Sequence, residues 1–227
     1  MADTPSLGPY LDDATSDDVA VIVMALAGAA AQIAEQIRHP QTALDAAAGD
    51  INADGDTQKK LDVIADFIIE DALRDTAAMA YLSEEREQVV GLGEGGLTVS
   101  CDPLDGSSNI GVNVSVGTIF SVLPAAGGEL QPGRAQLAAG FFVYGPQTTL
   151  LISVGAGTAS FRMDADGVFH LIDGQISIPE TATEFAVNAS NQRHWPAAVQ
   201  RYIDECLAGS EGNRNHDFNM RWVASLV

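Results

Sequence analysis

Asp102-Pro103-Leu104-Asp105-Gly106-Ser107-Ser108-Asn109 is the stretch around which the rest of the chain can be read. Pro103 restricts Asp102 to extended backbone, so the chain leaves a short strand, Leu97 to Cys101, without entering a helix at once. Asp102 and Asp105 can then converge on one point, which suits a hard, oxygen-ligated cation such as Mg2+. Gly106 lets the backbone turn tightly near a ligand. Ser107 and Ser108 bring hydroxyls and N–H groups to the start of a short helix, a ready phosphate cradle. Carboxylates beside an anion site make sense only with a cation between them, because acid and phosphate otherwise repel. Asp-Pro and Asp-Gly alone are common turn signals. The complete octamer behind a strand is more specific, and acidic company lies upstream: Gly55-Asp56, Asp62 and Glu84-Glu85.

Upstream, Ser16, Asp17 and Asp18 suit the N-terminus of a helix running to about Arg38, where His39-Pro40 ends it. Ala48 to Asp56, rich in Gly, Asp and Asn, reads as a loop. A second helix follows, with Leu61, Ile64, Phe67, Ile68 and Ala72 on its apolar face. Ala78 to Leu82 reads as a strand that delivers Glu84 and Glu85 at its tip. Downstream, Val114–Leu123, Leu137–Tyr144, Thr148–Val154 and Ala159–Met163 are rich in Val, Ile, Phe and Thr. Gly145-Pro146, Gly155-Ala156-Gly157 and Asp164-Ala165-Asp166-Gly167 separate them, which predicts an antiparallel meander. Phe185–Val187 reads as a strand leading into Asn188, and Pro196–Leu207 as a helix. The fold class is therefore α/β (α+β) with a mixed sheet. Residues 1–184 form a metal- and phosphate-binding domain, and 185–227 begin a second, incomplete one. The apolar run Met220 to Val227 lacks a C-cap glycine, terminal basic residues and a polar tail, so the expectation is a fragment. The alternative is a short terminal strand docked into a sheet.

The chain has 227 residues, 46% of them hydrophobic and 19% charged, which places it among globular proteins. A net charge of −20 excludes a general nucleic-acid binder, which needs a basic footprint. Cys101 and Cys206 are far apart and read as reduced thiols of a cytoplasmic protein. The acidic start lacks a signal-peptide basic region, and the apolar run Val19–Ala31 is too short to span a membrane. The four histidines (His39, His170, His194, His216) are scattered singly and read as structural or surface residues.

Gly55-Asp56-Thr57-Gln58-Lys59-Lys60-Leu61-Asp62, Ser83-Glu84-Glu85, the octamer with Ile110, and Val114–Phe120 follow the order and rough spacing of class I fructose-1,6-bisphosphatases. The likeness continues through Asn188-Ala189-Ser190-Asn191 and Asn219-Met220-Arg221-Trp222. The chain thus resembles a family of the lithium-sensitive, Mg2+-dependent sugar phosphatases. The resemblance implies a layered α/β/α fold and hydrolysis of fructose 1,6-bisphosphate to fructose 6-phosphate, as in gluconeogenesis. It implies Glu84, Asp102, Asp105 and the Leu104 carbonyl as ligands of Mg2+, with Mn2+ as a substitute. Glu85 and Asp62 would polarise the attacking water, and Asp56 would support the metals. Asp105, Gly106, Ser107 and Ser108 would hold the departing phosphate. Asn188 would contact the sugar 6-phosphate, and Arg221 would reach it across a subunit interface of a homotetramer.

Some positions depart from the family pattern. Gly111 stands where an acidic residue is usual. Leu97-Thr98 replaces a Lys-Tyr pair, which predicts no AMP inhibition of the usual kind. Asn191 and Trp222 stand where some members carry Tyr. The family's later Tyr, Lys and Glu have no counterpart, so the chain as given is expected to bind its second metal and its substrate poorly. Two other readings stay open: a sedoheptulose bisphosphatase or another superfamily phosphatase, and a non-catalytic assembly subunit. Leu104 and Ser107-Ser108 argue against an inositol monophosphatase.

Overall fold

The computed structural model describes residues 4–39, 55–128, 130–155, 157–189, 192–212 and 219–222, with backbone alone at 55–59 and 219–222. It divides into two compact units, Met1–Ile176 and Ser177–Val227.

Unit 1 is a mixed eight-stranded sheet with a helical layer packed on one face. The helices are α1 (Leu7–Ala14), α2 (Asp17–Arg38) and α3 (Gly55–Leu73). The strands are β1 (Ala78–Ser83), β2 (Val90–Gly91), β3 (Leu97–Asp105), β4 (Val116–Pro124), β5 (Ala138–Tyr144), β6 (Thr148–Ser153), β7 (Ala159–Met163) and β8 (Phe169–Asp173), in the order β2-β1-β3-β4-β5-β6-β7-β8. Only β1 and β3 pair in parallel, and β4 to β8 form the expected meander. From Val116 to Val122 of β4 the burial alternates: Val116, Thr118, Phe120 and Val122 are buried while Ile119 is exposed. Phe120, Phe142 and Phe169 pack ring to ring at about 5.5 Å beneath the helices.

Helix α2 has 22 residues and would suffice by length and composition alone to cross a bilayer. Here Ile22, Val23, Leu26, Ala29, Ala30 and Ile33 pack into the core of unit 1, and the helix ends at Arg38 as the His39-Pro40 signal predicts. In α3 the buried apolar residues are Leu61, Ala65, Ile69 and Leu73, while Phe67 is exposed. The apolar face expected from Phe67 is thus rotated. Asp62, Asp66 and Glu70 are buried beside Leu61 and Ile69, a stripe that periodicity alone assigns to solvent. The expected Ala48–Asp56 loop lies outside the described residues through 54, and Gly55 and Asp56 already belong to α3.

The strand ending at Cys101 in the sequence reading continues to Asp105 through Pro103. Proline is tolerated because β1 stops opposite Cys101 and the register with β4 shifts between Asp102 and Asp105. Unit 2 contains β9 (Glu184–Val187), α4 (Ala197–Leu207) and β10 (Asn219–Trp222), with β9 and β10 paired in parallel. Residues 223–227 of the apolar terminal run lie outside the described residues.

Candidate active site

Because β1 and β3 are parallel, their carboxyl ends open on the same side of the sheet, a place where ligands gather in α/β proteins. The chain leaves β1 in a fixed turn. The Glu84 amide donates to the Cys101 carbonyl at 3.0 Å, the Glu85 amide to Ser83 Oγ at 3.2 Å, and the Arg86 amide to the Ser83 carbonyl at 3.3 Å. At the end of β3 the Leu104 amide donates to Asp102 Oδ1 at 3.1 Å, so that carboxylate folds back over its own chain. Thr118 Oγ1 donates to the Pro103 carbonyl at 2.8 Å and lies 2.7 Å from the Tyr144 hydroxyl. With the threonine proton committed to Pro103, Tyr144 must donate to Thr118. This buried clamp pins the irregular segment between the two aspartates.

Gly106 adopts φ 78°, ψ 23°, which a side chain disfavours. It starts a 3-10 turn, Ser107–Val112, that includes Gly111, with the Asn109 amide donating to the Gly106 carbonyl at 2.8 Å. Ser107 Oγ donates to Asp62 Oδ2 at 3.1 Å, joining this turn to α3. The other carboxylate oxygen, Asp62 Oδ1, is buried without a hydrogen-bond partner.

The acids of this cluster raise one another's proton affinity. Burial pushes the Asp62 carboxyl above its usual range, the Ser107 hydrogen bond opposes this, and Glu84 adds to it. Burial raises Glu85 as well, reinforced by Asp62, Glu84, Asp102 and Asp66. Asp102 rises through burial, is drawn back by the Leu104 amide, and is pushed up again by Asp105, Glu84 and Asp62. The Cys101 thiol beneath is raised by burial and is not a nucleophile.

The structure therefore brings Asp62, Glu84, Glu85, Asp102, Asp105, Gly106 and Ser107 to one end of the sheet. Leu104 is buried between the two aspartates, and Ser108 follows in the 3-10 turn. Among the described residues, no three of the His, Cys, Asp or Glu side chains already close on a single metal-sized point. The donor set still fits a divalent cation. It is all oxygen, mutually repulsive, and holds an unpartnered Asp62 oxygen. Asp56 lies in the first turn of α3, and its side chain is outside the described residues. Asn188 is exposed just beyond β9 in unit 2, and Arg221 is paired with Ala186 in β10, its side chain also undescribed. Asn191 lies outside the described residues. Sequence reasoning missed the Thr118–Tyr144 clamp and the residues Asp66, Glu70 and Arg86. The last had one visible signal, a lone cation directly behind Glu84-Glu85.

The model of the fructose-1-6-bisphosphatase N-terminal domain matches residues 10–174. The chain belongs to the fructose-1,6-bisphosphatase family. The C-terminal domain model of this family matches residues 178–227. "Fructose-1,6-bisphosphatase class 1 2" of Cereibacter sphaeroides is 49% identical over 218 residues, covering 93% of this chain and 66% of the relative. The class 1 enzyme of Rhizobium meliloti is 50% identical over 227 residues, covering 95% and 65%. The chain thus spans about two-thirds of the length of these relatives. The holo form of Leishmania major fructose-1,6-bisphosphatase superposes with a TM-score of 0.82 at 29% identity, covering 98% of this chain and 71% of that one. Membership of this family implies a divalent metal cofactor.

Proposed function

We propose that this chain carries the catalytic half of a Mg2+-dependent phosphatase that hydrolyses fructose 1,6-bisphosphate to fructose 6-phosphate and phosphate. The observation that carries this reading is the meeting of Asp62 from α3, Glu84 from the turn after β1, Asp102 from β3 and Ser107 from the 3-10 turn at one end of the sheet, in a member of this family. Glu84, Asp102, Asp105 and the Leu104 carbonyl would hold the cations, Mg2+ or Mn2+ in its place. When bound, such cations neutralise phosphoryl oxygens and acidify a coordinated water.

The chain's own groups supply the rest. Gly106 opens the backbone so that the amides of Ser107 and Ser108 can point at a phosphate at the start of the 3-10 turn. Glu85, its proton affinity raised by burial and by its acidic neighbours, is suited to take the proton of the attacking water. Asp62, held by Ser107, orients that water with its remaining oxygen, and Asp56 supports the cations from the first turn of α3. Asn188 and Arg221 fit a contact to the sugar 6-phosphate: Arg221 is paired with Ala186 in adjoining strands, and Asn188 follows β9 directly. We place the protein in the cytoplasm and its assembled form in a homotetramer. We put the domain boundary near Glu184.

Phosphate release from fructose 1,6-bisphosphate, with and without Mg2+, tests the proposal. The expected result is release that needs Mg2+, is lost in Asp105→Asn, and is slower than in the longer relatives. Release from sedoheptulose 1,7-bisphosphate alone would overturn the substrate, and no release from either would overturn the activity.

A further inference from the structure

Arg86 follows Glu85 directly, yet its side chain turns away from the carboxylate cluster and into the body of unit 1. Its Nε donates to Asp66 Oδ2 and its Nη1 lies 2.6 Å from Glu70 Oε2. The guanidinium sits over the Phe67 ring, 5.1 Å from its centre, and near Tyr81. Tyr81 donates to the other Asp66 oxygen at 2.9 Å, and Arg74 pairs with the other Glu70 oxygen. The side chains of Asp66 and Glu70 are only 5% and 9% exposed.

Asp62, Asp66 and Glu70 stand at successive four-residue steps of α3 and so share one stripe of the helix. Its first member, Asp62, belongs to the carboxylate cluster through Ser107. The second and third hold Arg86. One planar, five-donor fork thus ties the turn that presents Glu84 and Glu85 to the helix that presents Asp62.

We propose that Arg86 is a positioning residue for the metal-binding cluster, setting the spacing between Glu84-Glu85 and Asp62 by clamping their turn to Asp66 and Glu70. The inference rests on the metal-site reading above. A second effect follows from the charges. Arg86 and Arg74 together offset the charges of Asp66 and Glu70, so a cation entering the site meets competing carboxylate only at the cluster itself. Stability alone is a weak reason for such a buried pair, because well-packed apolar residues commonly serve as well or better. The clamp is instead suited to fixing register between two elements that reach the site from different parts of the chain.

The test measures Mn2+ affinity, by the electron paramagnetic resonance signal of free Mn2+, alongside thermal unfolding in metal-free buffer. The charge-balanced pair Asp66→Asn with Arg86→Met leaves Glu70 with Arg74, keeps an unbranched side chain of similar reach beside Phe67, and strands no buried charge. The expected result is a native-like unfolding midpoint with the Mn2+ Kd raised about 10–100-fold, the range for outer-shell partners of metal ligands. A purely structural role would move the midpoint and spare the affinity. Arg86→Lys, which keeps a charge but not the fork, provides the second variant and is also expected to bind Mn2+ more weakly. Mn2+ affinity within about twofold of the parent chain in either folded variant overturns the proposal. Asp105→Asn separates the two readings. If it binds Mn2+ as tightly as the parent, the ion lies elsewhere and the metal-site reading itself falls.

Discussion

Replacing Thr118 by valine removes one oxygen and leaves the shape of the side chain nearly unchanged, so the resulting cost is a direct reading of the Pro103 clamp. Thr118 is 1% exposed and Tyr144 is 5% exposed, so water cannot take over either bond. The valine deprives the Pro103 carbonyl of its 2.8 Å donor and the Tyr144 hydroxyl of its 2.7 Å acceptor. A buried polar group stripped of its partner costs about 1–3 kcal/mol. Part of the loss at two such groups is offset by the added methyl, and the expected destabilisation is about 2–4 kcal/mol. Tyr144→Phe alone should cost about 1 kcal/mol, because the threonine keeps its bond to Pro103. In the double variant the tyrosine is no longer stranded, so the two losses should fall short of additivity by about 1–2 kcal/mol. Urea unfolding followed by far-ultraviolet circular dichroism is the appropriate assay. The two tryptophans, Trp195 and Trp222, both belong to unit 2, whereas the circular dichroism signal includes the strands of unit 1. A Thr118→Val cost below about 0.5 kcal/mol, or strictly additive variants, would refute the clamp.

Gly117 lies opposite Asp105 in the ladder, and a Cβ there would stand 2.6 Å from the Phe142 carbonyl oxygen. Both strands are interior, so Gly117→Ala should cost about 1–3 kcal/mol, read as a lower urea midpoint at unchanged slope. The acids of the site predict a pH dependence for the metal-free chain. Asp62, Glu85 and Asp102 have folded proton affinities above their unfolded ones, so the native state holds the extra protons. Their contribution to stability is therefore present at acidic pH and is lost as pH rises from about 4 through the raised values. Asp62→Asn removes one of these groups. Its melting temperature in chelator should exceed that of the parent at pH 7, and the gap should close toward pH 4; an equal gap at both would contradict the assignment.

Much of the first unit was legible because its signals are local. Val, Ile, Phe and Thr runs between glycine- and aspartate-rich turns gave the meander, and His39-Pro40 ended α2 at the right residue. The octamer announced a bend at the end of a strand, and Gly106 with the 3-10 turn fulfils it. What stayed hidden depends on partners distant in sequence. Asp66 and Glu70 look like a solvated helix face until Arg86, from beyond β1, arrives to pair with both. Pro103 looks like a strand breaker until β1 stops two residues earlier and frees the backbone of a ladder donor. Helix α1 had no expectation from the sequence: it is eight residues long and carries Gly8 and Pro9 in its first turn, where proline is tolerated.

The packing of α3 on the sheet has a consequence for the order in which the molecule is built. Strands β5 to β8 are successive hairpins that close short loops, whereas seating α3 against β3 and the 3-10 turn brings together more remote segments. Local hairpins form early, and long-range contacts carry a larger loop-closure entropy. The carboxylate cluster is complete only once α3 has docked. In hydrogen exchange its amides, Glu84 and Leu104 among them, should open before those of β5 and β6, so the chain can lose its chemistry while most of its sheet still stands.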